Sequence, residues 1–341
     1  MNYQAFNDWK DVCSADVRTV HVFPKHREQT PKTDYITQFY KQYPLEPGVQ
    51  WASHSILGYG SLLWAHPTKD VVHQHWIEAT TLKGVIGWIW KWFCLRIYLF
   101  KGGTLIWTCH NVEPHEPRNR WINRSISRWI MNHSSMILVH CRGTITRLLH
   151  STKSSTTLPF RIIEHPRFQL RRIEKKTAKS TLRDSLELDD TLLNSNVLLY
   201  FGNIASYKQI QASIEWFLAD DAYVFWIVGP VKPDGGQTLE WLSQQAARHP
   251  NRFWIHPVHV NDDEAQAILS AADVLMFNHR AIEMSGGVAL GLSCDIPTVA
   301  PAIGCLSEPR SAITNGLNYK NLHTFTSPEE MVQTVDRICS S

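Results

Sequence analysis

The sequence predicts an α/β protein of two doubly wound parallel sheets with a cleft between them, and three observations carry that expectation. Short β-branched or apolar runs alternate with helical patterns through both halves of the chain. The 341 residues, 43% hydrophobic and 19% charged, suffice for two cores. The stretch from Ala272 to Pro301 reads as one strand-loop-helix-strand unit, in which Ser285-Gly286-Gly287 opens the apolar helical pattern Val288 to Leu292. Paired glycines at a helix start let a ligand approach unpaired N–H groups, and the positive end of the dipole favours an anion such as a diphosphate. The same pair also suits plain close packing of a helix on a sheet.

Charge divides the chain unevenly. The net +3 is the sum of +8 through His165 and −5 beyond it, and the first part holds 12 of the 17 histidines. A basic half suits an anionic membrane or a phosphorylated substrate, and the absence of basic repeats or zinc-finger spacing argues against nucleic acid. The seven cysteines are scattered and never in a CxxC pair, which fits a reducing compartment and offers no zinc motif. The N-terminal run MNYQAFNDWKDVCSADV has no apolar signal core, so the expected location is cytoplasmic.

In chain order, Val17 to Phe23 is the first strand, followed by a charged loop to Asp34 and a helix over Ile36 to Tyr43. That loop lacks GxGxxG, so no dinucleotide fingerprint is present. Asp70 to Trp76 reads as a strand with His73 and His75 on one side, which points to hydrogen bonding with a polar ligand at the strand end rather than to a metal. Leu82 to Phe100 is the most hydrophobic stretch. Lys83, Lys91 and Arg96 argue against a membrane span, whereas Trp88, Trp90, Trp92 and Tyr98 suit a helix lying on an anionic leaflet.

Thr104 to Cys109 is the next strand, and it delivers His110-Asn-Val-Glu-Pro-His-Glu116 at its carboxyl end, where open α/β sheets bind ligands. His110 and His115 are donors for sugar hydroxyls or phosphate oxygens, and Glu113 and Glu116 are candidate bases toward a hydroxyl. A helix (Trp121 to Asn132), a strand (Met136 to His140), a helix (Arg142 to Leu149) and a strand (Phe160 to Ile163) complete a first domain over residues 1–168. Residues 169–195 are charged and read as an interdomain link. The second domain, 196–341, alternates strands at Val197 to Phe201, Tyr223 to Val228, Arg252 to His256 and Val274 to Phe277 with helices at Gln209 to Leu218, Thr238 to Arg248 and Asp262 to Ala271.

Four ordered segments carry a family resemblance: Asp70 to Trp76; Thr108 to Glu116; Tyr200-Phe-Gly-Asn-Ile-Ala-Ser-Tyr-Lys208; and Ser285-Gly-Gly through Pro301, with Gly304 and Glu308 beyond. The chain resembles the GT-B glycosyltransferases, in particular the group 1 (GT4-like) and bacterial exopolysaccharide enzymes of the xanthan mannosyltransferase type. The resemblance implies two Rossmann-like domains facing across a cleft, with a nucleotide-sugar donor (GDP- or UDP-sugar) on the C-terminal one and the acceptor on the other. It places Gly202, Asn203 and Lys208 at the donor diphosphate, Ser285, Gly286 and Gly287 at the helix start under the phosphates, and His110 facing the transferred sugar. The family's second cation before Lys208 is replaced by Ala205 or Ser206, which leaves Arg280 to supply it, and Glu283 stands near the first of the family's paired glutamates. The second falls near Leu290, so retention is not implied; an inverting enzyme would use Glu116, or His115, as base.

The expected activity is transfer of a hexose, with mannose from GDP-mannose as the specific candidate, to a polyprenyl-diphosphate-linked saccharide at the inner leaflet, in bacterial polysaccharide synthesis. No Asp-x-Asp motif occurs, so neither a metal nor another cofactor is expected. The rival readings are a sugar-nucleotide 2-epimerase of the same architecture and an inactive nucleotide-sugar-binding subunit.

Overall fold

A computed structural model describes residues 16–79, 81–113, 119–154, 158–186, 188–308, 313–314 (backbone) and 317–340. The chain divides into two units, residues 1–27 with 39–165 and residues 28–38 with 166–341.

In the first unit, β1 (Thr19–Phe23), β2 (Gln50–Ser53), β3 (Asp70–Gln74), β4 (Thr104–Cys109), β5 (Met136–Val139) and β6 (Phe160–Ile162) form one sheet in the order β2-β1-β3-β4-β5-β6, parallel throughout. Helix α1 (Tyr35–Gln42) begins within residues 28–38 and ends in this unit, and helices α2 (Leu82–Phe100), α3 (Arg120–His133) and α4 (Arg142–Thr152) occur along this part of the chain. Every residue of β5, Met-Ile-Leu-Val, is buried, as a parallel strand covered on both faces requires. Two elements escape the sequence reading: the edge strand β2 and a 3-10 helix, Ile56–Leu63, whose Gly-Tyr-Gly core lacks helical periodicity.

The helix expected over Leu82 to Phe100 spans those residues, with the Thr81 hydroxyl accepting from Gly84 N at its start. Among the described residues no helix is long and apolar enough to cross a membrane. Trp88 and Tyr98, expected at a lipid interface, are instead buried; Trp88 packs with Trp129, and the Tyr98 hydroxyl donates to the Asp70 carbonyl. Trp90 and Trp92 do reach solvent.

The second unit carries β7 (Asn196–Phe201), β8 (Tyr223–Val228), β9 (Phe253–His256), β10 (Val274–Met276) and β11 (Thr298–Pro301). With β14 (Leu322–Phe325), which follows the separate two-stranded pair β12 (Ile313–Thr314) and β13 (Leu317–Asn318), they form a second parallel sheet, β14-β11-β10-β7-β8-β9. Its helices are α5 (Lys175–Leu186), α6 (Asp190–Asn194), α7 (Ile210–Glu215), α8 (Gly236–Arg248), α9 (Asp262–Ala271), α10 (Gly286–Ser293) and α11 (Pro328–Cys339). Helix α11, unforeseen, starts from Ser327, whose hydroxyl accepts from Glu330 N, with Pro328 in its first turn.

Residues 169–195 are not a link. Leu170, Ala178, Leu182, Leu192 and Leu193 are buried in the same core as Ala265 and Ile268 of α9. The charge that suggested a linker lies on the outer face of α5, while the i, i+4 pair Ala178 and Leu182 turns inward. Residues 28–38 also belong to this unit: Lys32 N and Thr33 Oγ1 donate to the Asp262 carboxylate at 2.9 and 3.0 Å.

Arg252, expected inside a strand, immediately precedes β9 and staples the loop before β8. Its guanidinium donates to the carbonyls of Phe217, Leu218, Asp220 and Tyr223 and to the Asp221 carboxylate. Arg252→Ala strands the buried carbonyls of Phe217 and Tyr223, so it is expected to cost about 2–4 kcal/mol of stability in urea unfolding.

Candidate functional site

The second sheet reverses its strand order between β7 and β10, which are adjacent while β8 and β9 run to one side and β11 and β14 to the other. In open α/β sheets the crevice beyond the carboxyl ends at such a switch point binds ligands. A small, partly open crevice lies there, lined by Tyr200, Phe201, Gly202, Lys208, Ile210, Met276, Phe277 and Asn278.

Local backbone geometry builds it. Gly202 has φ +101° and Gly229, after β8, has φ +134°. A Cβ on Gly229 would stand 2.6 Å from the Gly202 carbonyl oxygen, so the two post-strand turns approach as only glycine allows. Ile204 N donates to the Pro230 carbonyl and Lys232 N to that of Ile204, carrying the pairing past the strand ends. The Asp234 carboxylate accepts from the backbone N and hydroxyl of Ser206. This fixed loop turns Lys208 back over β7, its Nζ 3.5 Å from the Phe201 carbonyl, and burial pushes its pKa down to about 8. Asn203 is half-buried within the same loop.

The loop after β10 joins it. Arg280 N donates to the Tyr207 carbonyl at 2.9 Å, and His279 stacks on Tyr207 and Phe277 at centroid distances of 5.7 and 5.3 Å. Phe277 also bounds the helix start, since a Cβ on Gly287 would come within 2.7 Å of its ring. The Lys208 pocket and the start of α10 therefore share one aromatic wall. Gly287 serves close packing, whereas Gly286 is exposed with open space above it. Ser285 is buried, and its hydroxyl accepts from Val288 N as the helix cap. Arg280 is exposed; Glu283 is half-buried, its carbonyl accepting from Cys305 N in the turn made by Gly304. Tyr207, Asp234, Asn278 and His279 went unnoticed in sequence, and only the alternation of strand ends could have drawn attention to them.

The first unit carries a different chemistry at its carboxyl edge. A histidine follows each strand within three residues: His26 after β1, His54 after β2, His75 after β3, His110 after β4, His140 after β5 and His165 after β6. Ring contacts run from His73 to His75 (4.2 Å), His75 to His110 (5.4 Å), His110 to His140 (5.6 Å) and His140 to His165 (5.3 Å). Among the described residues these side chains make no group of three or more that could hold a metal ion.

His73 and His75, expected to touch a ligand, are fully buried. The rings of His73 reach the Tyr40 hydroxyl at 2.6 Å and the Thr108 hydroxyl at 2.8 Å, so this residue braces the site from below. His75 Nδ1 lies 3.1 Å from His110 Nε2, and His110 stacks flat on Trp76 at 4.2 Å. Burial first, then the neighbouring histidines, hold His75 and His110 well below the usual histidine range; burial and His110 take His73 to about 3. All three rings are thus neutral at physiological pH, able to donate and accept but carrying no charge.

His115 and Glu116 lie outside the described residues. Glu113, the other acid of that loop, is paired with Arg124 at 2.5 Å and Arg120 at 3.9 Å.

No protein-family model and no curated relative matches the sequence. Several solved structures are similar. The Anabaena protein Alr3699/HepE in complex with UDP and glucose superposes with TM-score 0.64 at 13% identity, covering 95% of this chain and 90% of that one. For the Escherichia coli structure described as trehalose-6-phosphate bound with UDP-2-fluoro glucose the values are 0.60, 10%, 95% and 91%. For sucrose-phosphate synthase from Thermosynechococcus elongatus they are 0.59, 15%, 84% and 68%. Two parallel six-stranded α/β units together with these likenesses establish the GT-B fold, a pair of Rossmann-like domains.

Proposed function

We propose that this chain is a nucleotide-sugar-dependent glycosyltransferase that moves a hexose to a lipid-linked saccharide in bacterial polysaccharide synthesis. The observation that carries the reading is the switch-point pocket of the second unit, where Lys208, the Gly202 turn and the glycine-opened start of α10 share one wall. A leaving nucleoside diphosphate needs its growing charge met by a cation and oriented N–H donors, and this edge supplies both residue types without a metal. Gly202, Asn203, Lys208, Arg280, Glu283, Ser285, Gly286 and Gly287 hold the donor, with Ser285 acting through its cap on α10. The first unit holds the acceptor: His110 meets the sugar, His73 and His75 fix its ring, and Glu116, or His115, takes the hydroxyl proton.

For the donor, the similar structures bound to UDP, UDP-glucose and UDP-2-fluoro glucose favour a uridine nucleotide over GDP-mannose. The acceptor is a polyprenyl-diphosphate-linked saccharide, and the enzyme works as a peripheral protein on the cytoplasmic leaflet. Thermal unfolding with a panel of nucleotide sugars tests this directly. A donor present at about 100 times its Kd should add roughly 2.7 kcal/mol of stability. UDP-glucose and its relatives are expected to raise Tm above GDP-mannose. No shift with any nucleotide sugar would remove the reading.

A further inference from the structure

The outer surface of α2 is an apolar face that the described residues leave uncovered. Leu82, Ile86, Ile89, Phe93 and Phe100 fall at i, i+4, i+7, i+11 and i+18, along one side of a 19-residue helix about 28 Å long. Phe100 is 93% exposed and Leu82 76%. The 3-10 helix Ile56–Leu63 widens this face. Gly87 leaves a notch that the Ile56 side chain fills, a Cβ there coming within 2.5 Å of Ile56 Cδ1, and Gly60 leaves room beside the Trp90 ring. Side by side, the two elements present Leu57, 79% exposed, and Trp64, 82% exposed, beside the helix.

The charge around this platform is predominantly cationic, with the exposed Glu78 near Lys91 as the exception. No Asp or Glu occurs from residue 47 to 69 or from 79 to 112, whereas Lys83, Arg96 and Lys101 are exposed on or beside α2. The Lys101 ammonium rests on the Leu63 carbonyl at 2.5 Å, and the Arg96 guanidinium lies 5.9 Å from the Trp92 ring. A second copy docking through a two-fold axis would set this cationic rim against itself. An anionic leaflet complements it, and exposed indole rings beside cations suit the headgroup level.

We propose that α2 and the 3-10 helix Ile56–Leu63 form a two-element docking platform that seats the first unit on an anionic bilayer, with Leu57, Trp64, Ile86, Ile89 and Phe93 entering the interface. This deepens the peripheral-membrane part of the proposed function and names the surface that performs it.

The test is co-sedimentation of the full chain with phosphatidylcholine vesicles, with or without roughly 30 mol% phosphatidylglycerol. The wild type is expected to prefer the anionic vesicles. The double variants Trp64→Ser/Phe93→Ser and Lys83→Gln/Arg96→Gln should each lower the partition coefficient by roughly tenfold or more. Their circular dichroism, thermal midpoint and stabilisation by nucleotide sugars should stay as in the wild type, because all four side chains are on the surface. Equal partitioning of wild type and variants, or no preference for anionic vesicles, overturns the platform. So does a wild-type dimer in sedimentation velocity that Trp64→Ser/Phe93→Ser disperses, which would give the face to a second copy. Vesicle binding that follows these expectations while no nucleotide sugar stabilises the chain supports the platform and removes only the transferase reading.

Discussion

Lys208→Ala is expected to lower donor-dependent transfer by about 100-fold or more, since it removes the cation from the switch-point pocket. The fold should not suffer. Burial lowers the Lys208 pKa, so the charged ammonium is disfavoured in the folded chain, and its removal should leave Tm equal or slightly higher. That separates a binding defect from misfolding. Lys208 also sets a pH dependence with a definite sign. In the free protein the ammonium is present below about pH 8 and lost above it, so donor affinity should fall as pH rises through that value. Lys208→Arg, always charged, should flatten the profile even where its bulk lowers affinity. Calorimetric titration of the donor from pH 6.5 to pH 9.5 measures both effects. Unchanged transfer by the alanine variant would leave this lysine no part in the reaction and favour the inactive-subunit alternative.

The second large effect is acid lability of the first unit. His73 and His75 are fully buried and held neutral, with folded pKa values below the ordinary 6.5. As pH falls through 6.5 the unfolded chain takes up protons that the folded chain refuses, so stability is complete above that value and drains away toward the folded pKa. Each such ring contributes a slope approaching about 1.4 kcal/mol per pH unit, so two amount to roughly 2.4 kcal/mol between pH 6 and pH 5. Urea unfolding at pH 7.5 and pH 5.0 should show the loss. His73→Gln should start lower, because Tyr40 and Thr108 lose part of their bonding, yet fall less steeply with acid. Parallel pH profiles for the wild type and this variant would mean that the ring is not the group resisting protonation.

Much of the architecture was legible in the sequence because burial on both faces of a parallel strand writes itself as an unbroken apolar run. Met136 to Val139 and Tyr223 to Val228 are such runs, and both are strands. Gln50–Ser53 was not legible: it is an edge strand, and none of its four residues is buried. The same difference explains residues 169–195, whose solvated face outweighs, in composition, the few leucines that face the core.

For the site, the sequence by itself determined which chemical groups stand at the strand ends: a lysine and glycines beyond β7, a serine and paired glycines at α10, histidines along the first sheet. These are local choices, fixed by turn geometry and helix capping. Tertiary structure alone decided which of them meet. Strand order places β10 against β7, which brings Phe277 and His279 to the loop holding Lys208 although about 70 residues separate them. Parallel registry lines up His75, His110, His140 and His165, while burial holds His73, His75 and His110 neutral and turns two expected ligand contacts, His73 and His75, into supports. Desolvation depends on everything packed around a group, and no local stretch of sequence contains that information.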